Sequence, residues 1–377
     1  MVRNGDADMS PNRRTVLAGA AALAFAGRAD AQSFGADRYA RAMVIDGLGS
    51  LGNLDPRSPG IQAQLAAFRA SGLTAINQTV GAGGGAPGRF EETLRRITRY
   101  ARFVSAFPDH LLQVRSAADL KLAQQSGRLG VIFGFQDSVP LETEIGRLDL
   151  FDLLGVRIVQ LTYNIRNLVG DGCLEPANAG LSAYGRDVVA ALNTRRMLVD
   201  ASHAGTRTIA DAIAASTAPI AISHTGCRAL VDVPRNTSDA ELRALADKGG
   251  VAGIYFMPFL REQGQARAED VIRHIEHVVK VAGEDHVSLG TDGGIRAAPT
   301  GAEALAAQKR FYDERKAMGV AAPGEAPDVL NLVPEYNEPT RFLRLADDLA
   351  ARGWSARQIE KLLGGNFARL CADVWGG

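Results

Sequence analysis

His203 and His224 stand just past two short apolar runs, 197–199 and 219–222, in a chain that holds only six histidines. If both runs are strands, both imidazoles fall at carboxyl ends on one rim, where two neutral ring nitrogens can share a borderline metal such as zinc. Other polar residues recur at the same kind of position. Gln136 and Asp137 follow the run 129–135, Tyr163 and Asn164 follow 156–161, and Asp292 follows 286–289 across Gly290-Thr291. Arg235 lies in Val233-Pro234-Arg235-Asn236, just before a helical pattern for which Asn236 is the expected N-cap. A carboxylate, an arginine and two histidines around one mouth suit polarisation of a carbonyl, activation of water and clamping of a substrate carboxylate. Simpler roles are available to each: Asp292 can cap the Asp-Gly-Gly turn, Arg235 can pair with a neighbouring acid, and a buried histidine can be satisfied by ordinary hydrogen bonds. His274 and His277 share one face of an amphipathic helix with Lys280, which suits packing or solvation better than catalysis.

The elements that would carry these residues alternate regularly. Strands are expected at 43–45, 74–78, 129–135, 156–161, 197–199, 219–222, 251–256 and 286–289, with 103–106 or 111–114 as further candidate elements. Helices are expected at 60–70, 90–107, 117–125, 181–192, 204–214, 238–248 and 268–281, and two more at 339–349 and 355–363, the last ended by Gly364-Gly365-Asn366. Eight apolar strands, each followed by a helix or a long excursion, favour a (β/α)8 barrel over an open doubly wound sheet. Asp46-Gly47-Leu48-Gly49-Ser50 has spaced glycines but lacks the third glycine and the following helix of a dinucleotide fingerprint. The stretches 81–88 and 299–334 are long loops on the rim side, where a barrel builds its pocket.

Composition narrows the rest. Among 377 residues, 46% are hydrophobic and 22% charged, enough to bury a large core. Equal totals of 42 basic and 42 acidic residues leave no net charge to attract nucleic acid or an anionic membrane. Three separated cysteines form neither a disulfide framework nor a thiolate zinc motif. Arg13-Arg14, an apolar stretch to Phe25 and Ala29-Asp30-Ala31 have the form of an export leader over 1–31, of twin-arginine type and directed to the bacterial periplasm. Residues 32–377 then form one barrel with terminal helices and no stable membrane span.

Taken in order, Asp46-Gly47, Gly134-Phe135-Gln136, Leu161-Thr162-Tyr163-Asn164, Gly170-Asp171-Gly172, Val199-Asp200-Ala201-Ser202-His203, Ser223-His224, Pro234-Arg235-Asn236, Gly290-Thr291-Asp292 and Gly365-Asn366 resemble the membrane or renal dipeptidase family over nearly the whole chain after the leader. The resemblance implies a metal-dependent (β/α)8 barrel of the amidohydrolase type, two zinc ions, hydrolysis of dipeptides, including those with a carboxyl-terminal D-residue, and in many cases a homodimer. It further implies that His203 and His224 match two ligands of the second zinc, Asp292 the carboxylate that handles the proton, and Arg235 the residue that binds the substrate's carboxylate.

The departures are equally specific. Leu48 and Ser50 stand where the family has a histidine and an aspartate, Gln136 stands for the bridging glutamate, and Tyr163 for the histidine that steadies the tetrahedral intermediate. Three readings follow. In the first, His203, His224 and Gln136 hold one zinc, Asp292 activates water, Tyr163 supports the oxyanion, and Arg235 with Asn164 binds a small carboxylate-bearing dipeptide or amide. Asp46, Asp137 or Asp200 is then the candidate for the missing carboxylate. In the second, no metal is bound and the histidines move protons in a lyase or isomerase. In the third, the pocket only binds a ligand in the periplasm.

Overall fold

The computed structural model describes residues 33–83 and 88–376. The leader expected over 1–31 lies outside the described residues, as does the centre of the glycine-rich loop at 81–88. The strands are β1 (Ile45–Ser50), β2 (Ala75–Thr79), β3 (Leu111–Val114), β4 (Leu129–Phe135), β5 (Val156–Gln160), β6 (Leu198–Asp200), β7 (Ala221–Thr225), β8 (Val251–Ile254), β9 (Val287–Leu289) and the two-residue β10 (Gly293–Gly294). All ladders are parallel, in the order β10-β1-β2-β4-β5-β6-β7-β8-β9. Because β9 runs straight into β10, and Asp292 N–H donates to the Leu48 carbonyl at 2.8 Å, the path closes on itself as a barrel. β3 adds to the first half of β4. It is an extra strand outside the ring.

Each of the eight expected strands is present, but two are displaced toward the mouth. β1 begins at Ile45 and continues through Asp46-Gly47-Leu48-Gly49-Ser50, a stretch with few β-branched residues. Glycine is required there by proximity: a Cβ on Gly47 would lie 2.9 Å from the Leu289 carbonyl oxygen and 3.1 Å from the Phe367 ring. β7 likewise extends through Ser223, His224 and Thr225, all buried, because their polar atoms are met by neighbouring strands.

The expected helices form within a residue or two. Helix Asp239–Asp247 is capped by Ser238, which accepts from Glu241 N–H while the Glu241 carboxylate accepts from Ser238 N–H. Asn236 is therefore not the cap; its amide instead bonds the carbonyls of Val231 and Phe259 and accepts from the Tyr255 hydroxyl. Gly364-Gly365-Asn366 does not stop the chain either. After helix Ala356–Glu360 and one π turn, Lys361–Gly365, the chain kinks at Gly364 and continues as helix Asn366–Trp375. A Cβ on Gly364 would sit 2.6 Å from the Met43 carbonyl oxygen, so glycine permits the crossing, and the Asn366 amide donates to the Glu284 and Val287 carbonyls.

The core has two parts. A large apolar cluster lies between the strands and the surrounding helices. A smaller one fills the amino-terminal end of the barrel, where Ile45, Ala75, Ile132, Ile158, Leu198 and Val251 meet Phe367, Leu370 and Trp375 of the last helix. The excursion at 299–334, read from sequence as a loop, contains the helix Ala302–Ala317.

Candidate active site at the barrel mouth

The carboxyl ends of the strands bring Gln136, Tyr163, Asn164, His203, Arg235 and Asp292 to one cavity of about 150 Å³. Met257 and Phe259, which follow β8, complete its inner wall. His224 lies immediately behind His203.

The two imidazoles face each other, with 2.8 Å between their Nε2 atoms. Their outer nitrogens are both engaged. His203 Nδ1 meets Asn164 Oδ1 at 2.5 Å, and the Asn164 amide nitrogen is spent on the Val320 carbonyl at 2.7 Å, so His203 must carry its proton on Nδ1. His224 Nδ1 meets Ser223 Oγ at 2.9 Å, while Ser223 Oγ donates to Asp200 Oδ2 at 2.5 Å, which places the His224 proton on Nδ1 as well. With both protons on Nδ1, the two Nε2 lone pairs face one another, and these are the atoms that would bind a cation. Burial, followed by the nearby Arg235 charge, holds both pKa values well below the usual histidine range, so neither ring carries its own charge at neutral pH.

Nothing anionic joins the pair. Among the described residues no group of three His, Cys, Asp or Glu side chains is placed to hold a metal ion. Asp46 is bound to the Thr291 N–H (2.8 Å) and hydroxyl (2.6 Å), tying β1 to the end of β9. Asp200 accepts from Ser202 and Ser223. Asp137 accepts from Asn167 and the Val139 N–H. Each of the three carboxylates is held by these partners, and the Gln136 amide meets Asp292 at 3.4 Å. The donor set matches the imidazole half of a single-ion site; a two-ion centre does not fit.

Asp292 and His203 are both non-glycine residues with positive φ, 55° and 62°. Each turns sharply off its strand end toward the cavity. Burial pushes the Asp292 pKa up to about 6 against the opposing pull of Arg235 and the Gln136 hydrogen bond. Arg235 is buried at 3% exposure, lies 5.5 Å from the Tyr255 ring and 5.9 Å from the Phe259 ring, and donates to the His224 carbonyl. No carboxylate pairs with it among the described residues. The Tyr163 ring stacks on His203 with centroids 4.2 Å apart, and burial raises its pKa.

The cavity's outer wall was not legible residue by residue. Phe311, Arg315, Glu325 and Asn331 come from the excursion after β10. Its helix has only Gln308 buried, so no apolar stripe marks it as a wall; its place after the last strand was the one available signal. His274, by contrast, is a satisfied core residue, accepting from Cys227 N–H and meeting the Leu260 carbonyl, and His277 pairs with Asp239.

A family model described as membrane dipeptidase, peptidase family M19, matches residues 60–323. The dipeptidase tcpJ of Claviceps purpurea is 33% identical over 287 residues, 75% of this chain and 60% of that protein. An uncharacterised protein of the pqqA 5′ region of Klebsiella pneumoniae is 29% identical over 69% of this chain and 88% of its own length. The chain thus spans only about three fifths of the fungal dipeptidase. Among solved structures, an amidohydrolase from Pseudomonas aeruginosa superimposes with a TM-score of 0.79 at 33% identity, covering 92% of this chain and 100% of the other.

Proposed function

Since the chain belongs to the membrane dipeptidase family, we propose that it hydrolyses the peptide or amide bond of a small, carboxylate-bearing, dipeptide-like substrate at the mouth formed by Arg235, Asp292 and Tyr163. The observation that carries this reading is Arg235, a buried guanidinium on the cavity wall that makes no close ion pair among the described residues and feels only the more distant charge of Asp292. An unpaired buried charge is costly, and the group that relieves the cost is the one the site binds: an incoming carboxylate.

With the substrate's carboxylate on Arg235, its scissile carbonyl reaches the space between Asp292 and Tyr163. Asp292 takes a proton from water as the water oxygen attacks the carbonyl carbon; the Tyr163 hydroxyl donates to the oxyanion that forms. Asp292 then returns the proton to the departing amine as the C–N bond breaks. The aromatic and thioether walls from Phe259 and Met257 favour a small apolar substituent next to the carboxylate. The family is one of metallopeptidases, and a divalent ion taken up between His203 and His224 would supply Lewis acidity to the water. For location, we read the Arg13-Arg14 segment as an export leader; no described helix is long and apolar enough to cross a membrane.

A panel of D- and L-dipeptides and their carboxyl-terminal amides tests the reading. The free acids should be cleaved and the amides should not. In R235A, kcat/KM for the acids should fall about ten- to a hundredfold, in line with loss of a buried charge-assisted pair. Equal turnover of acids and amides by the wild-type protein would remove Arg235 from the substrate site.

A further inference from the structure

We propose that Arg315 is a positioning residue for this reaction: its guanidinium occupies the acceptor side of the Tyr163 hydroxyl and so aims the single phenolic proton into the cavity. The inference rests on the oxyanion role proposed above for Tyr163 and deepens it.

The geometry is a fork held from behind. Arg315 Nε and Nη2 bond the two oxygens of Glu325 at 2.6 and 2.7 Å, and both side chains are shielded, 12% and 4% exposed. Nη2 also donates to the Val320 carbonyl, leaving Nη1 to donate to Tyr163 Oη at 3.1 Å. A guanidinium has no acceptor, so in this contact the phenol oxygen must accept. The phenolic proton has no acceptor among the hydrogen bonds formed by the described residues, and the ring is fixed by stacking on His203, so the proton points to the cavity. Bidentate pairing restricts the guanidinium to one plane, which a single contact would not.

The same clamp reaches the histidines. The Val320 carbonyl accepts from Arg315 and also from the Asn164 amide, whose oxygen orients His203. Helix Ala302–Ala317 has little apolar reason to dock, with Leu305 and Phe311 exposed, as is Met318 just past its end. The ion pair closes the excursion on itself, and the bonds from Arg315 to Tyr163 and from Asn164 to the Val320 carbonyl join it to the barrel.

The test is a double-mutant cycle with R315M, Y163F and the double variant, with R315K as the conservative rescue. It is read by dipeptide kinetics and by calorimetric binding of a phosphinate dipeptide, whose anionic oxygens mimic the tetrahedral intermediate. R315M should lower kcat by about tenfold or more while KM stays within about threefold, and phosphinate affinity should fall by a similar factor. In the Y163F background R315M should add less than about twofold, and R315K should recover part of the loss. A full additional loss in the Y163F background, or a change in KM alone, overturns the positioning role and leaves the oxyanion role standing. If Y163F alters neither kcat nor phosphinate binding, the oxyanion role itself falls. Should R315M fail to fold, E325Q, which loosens the fork and keeps the guanidinium, must show the same dependence on Tyr163.

Discussion

Asp292 combines the two demands placed on a catalytic base, nearness to the scissile bond and a pKa close to the working pH. Because burial raises its pKa to about 6, activity should climb through that pH on the acid limb as the carboxylate ionises. The consequence for stability has the opposite sign. A folded-state pKa above the unfolded value means that the folded chain binds the proton more tightly, so stability falls as pH rises from about 4 to about 6 and stays lower above it. D292N should therefore abolish turnover yet raise the melting temperature at pH 7, with the gain disappearing near pH 4; thermal scans at the two pH values check it. Asp292 and the histidine pair were visible in the sequence because each follows an apolar run within a few residues, and Arg235 because it stands in a short polar turn just before a helical pattern. Arg315 was hidden, since it lies in a helix whose few apolar residues form no stripe and its partner Glu325 is ten residues on, past a turn.

Strands announced themselves because a barrel strand buried on both faces leaves a continuous apolar run; boundaries did not, where polarity inside the barrel is satisfied locally. β7 is the clear case: Ser223 and His224 read as loop residues, yet Asp200 accepts from the Ser223 N–H and hydroxyl and Ser202 Oγ accepts from the His224 N–H, and the strand continues. β1 was displaced for another reason, glycines chosen for close approach in place of side chains with strand preference. The helix Ala302–Ala317 could be recognised only by its position. Its dependence on a polar clamp gives a prediction at this scale. E325Q should leave the barrel's melting temperature nearly unchanged but accelerate tryptic cleavage at Lys309, Arg310 and Lys316, followed by mass spectrometry of the early fragments. Cleavage no faster than in the wild-type protein would show that other contacts hold the helix.

At the level of the whole molecule, the barrel is closed on its side by the Asp46–Thr291 bonds and at its amino-terminal end by the last helix. Phe367 is wholly buried among strand residues from around the ring, so F367A should cost about 3–5 kcal/mol in a denaturant titration, far more than an exposed substitution. Cys227 and Cys371 are buried and Cys173 is half-covered, so the native protein should react with a thiol reagent at Cys173 alone, and at three sites once unfolded. A closed fold of this kind does not reveal its reaction by shape. Leu48, Ser50 and Gln136 stand where the family resemblance implies metal ligands, and the chemistry follows from those few side chains. The helix Asn366–Trp375 bears on how the barrel folds, because it is the floor of the barrel. Until it docks, the apolar bore stays open to solvent, so a chain cut short before residue 366 displays the surface that chaperones and proteases seize.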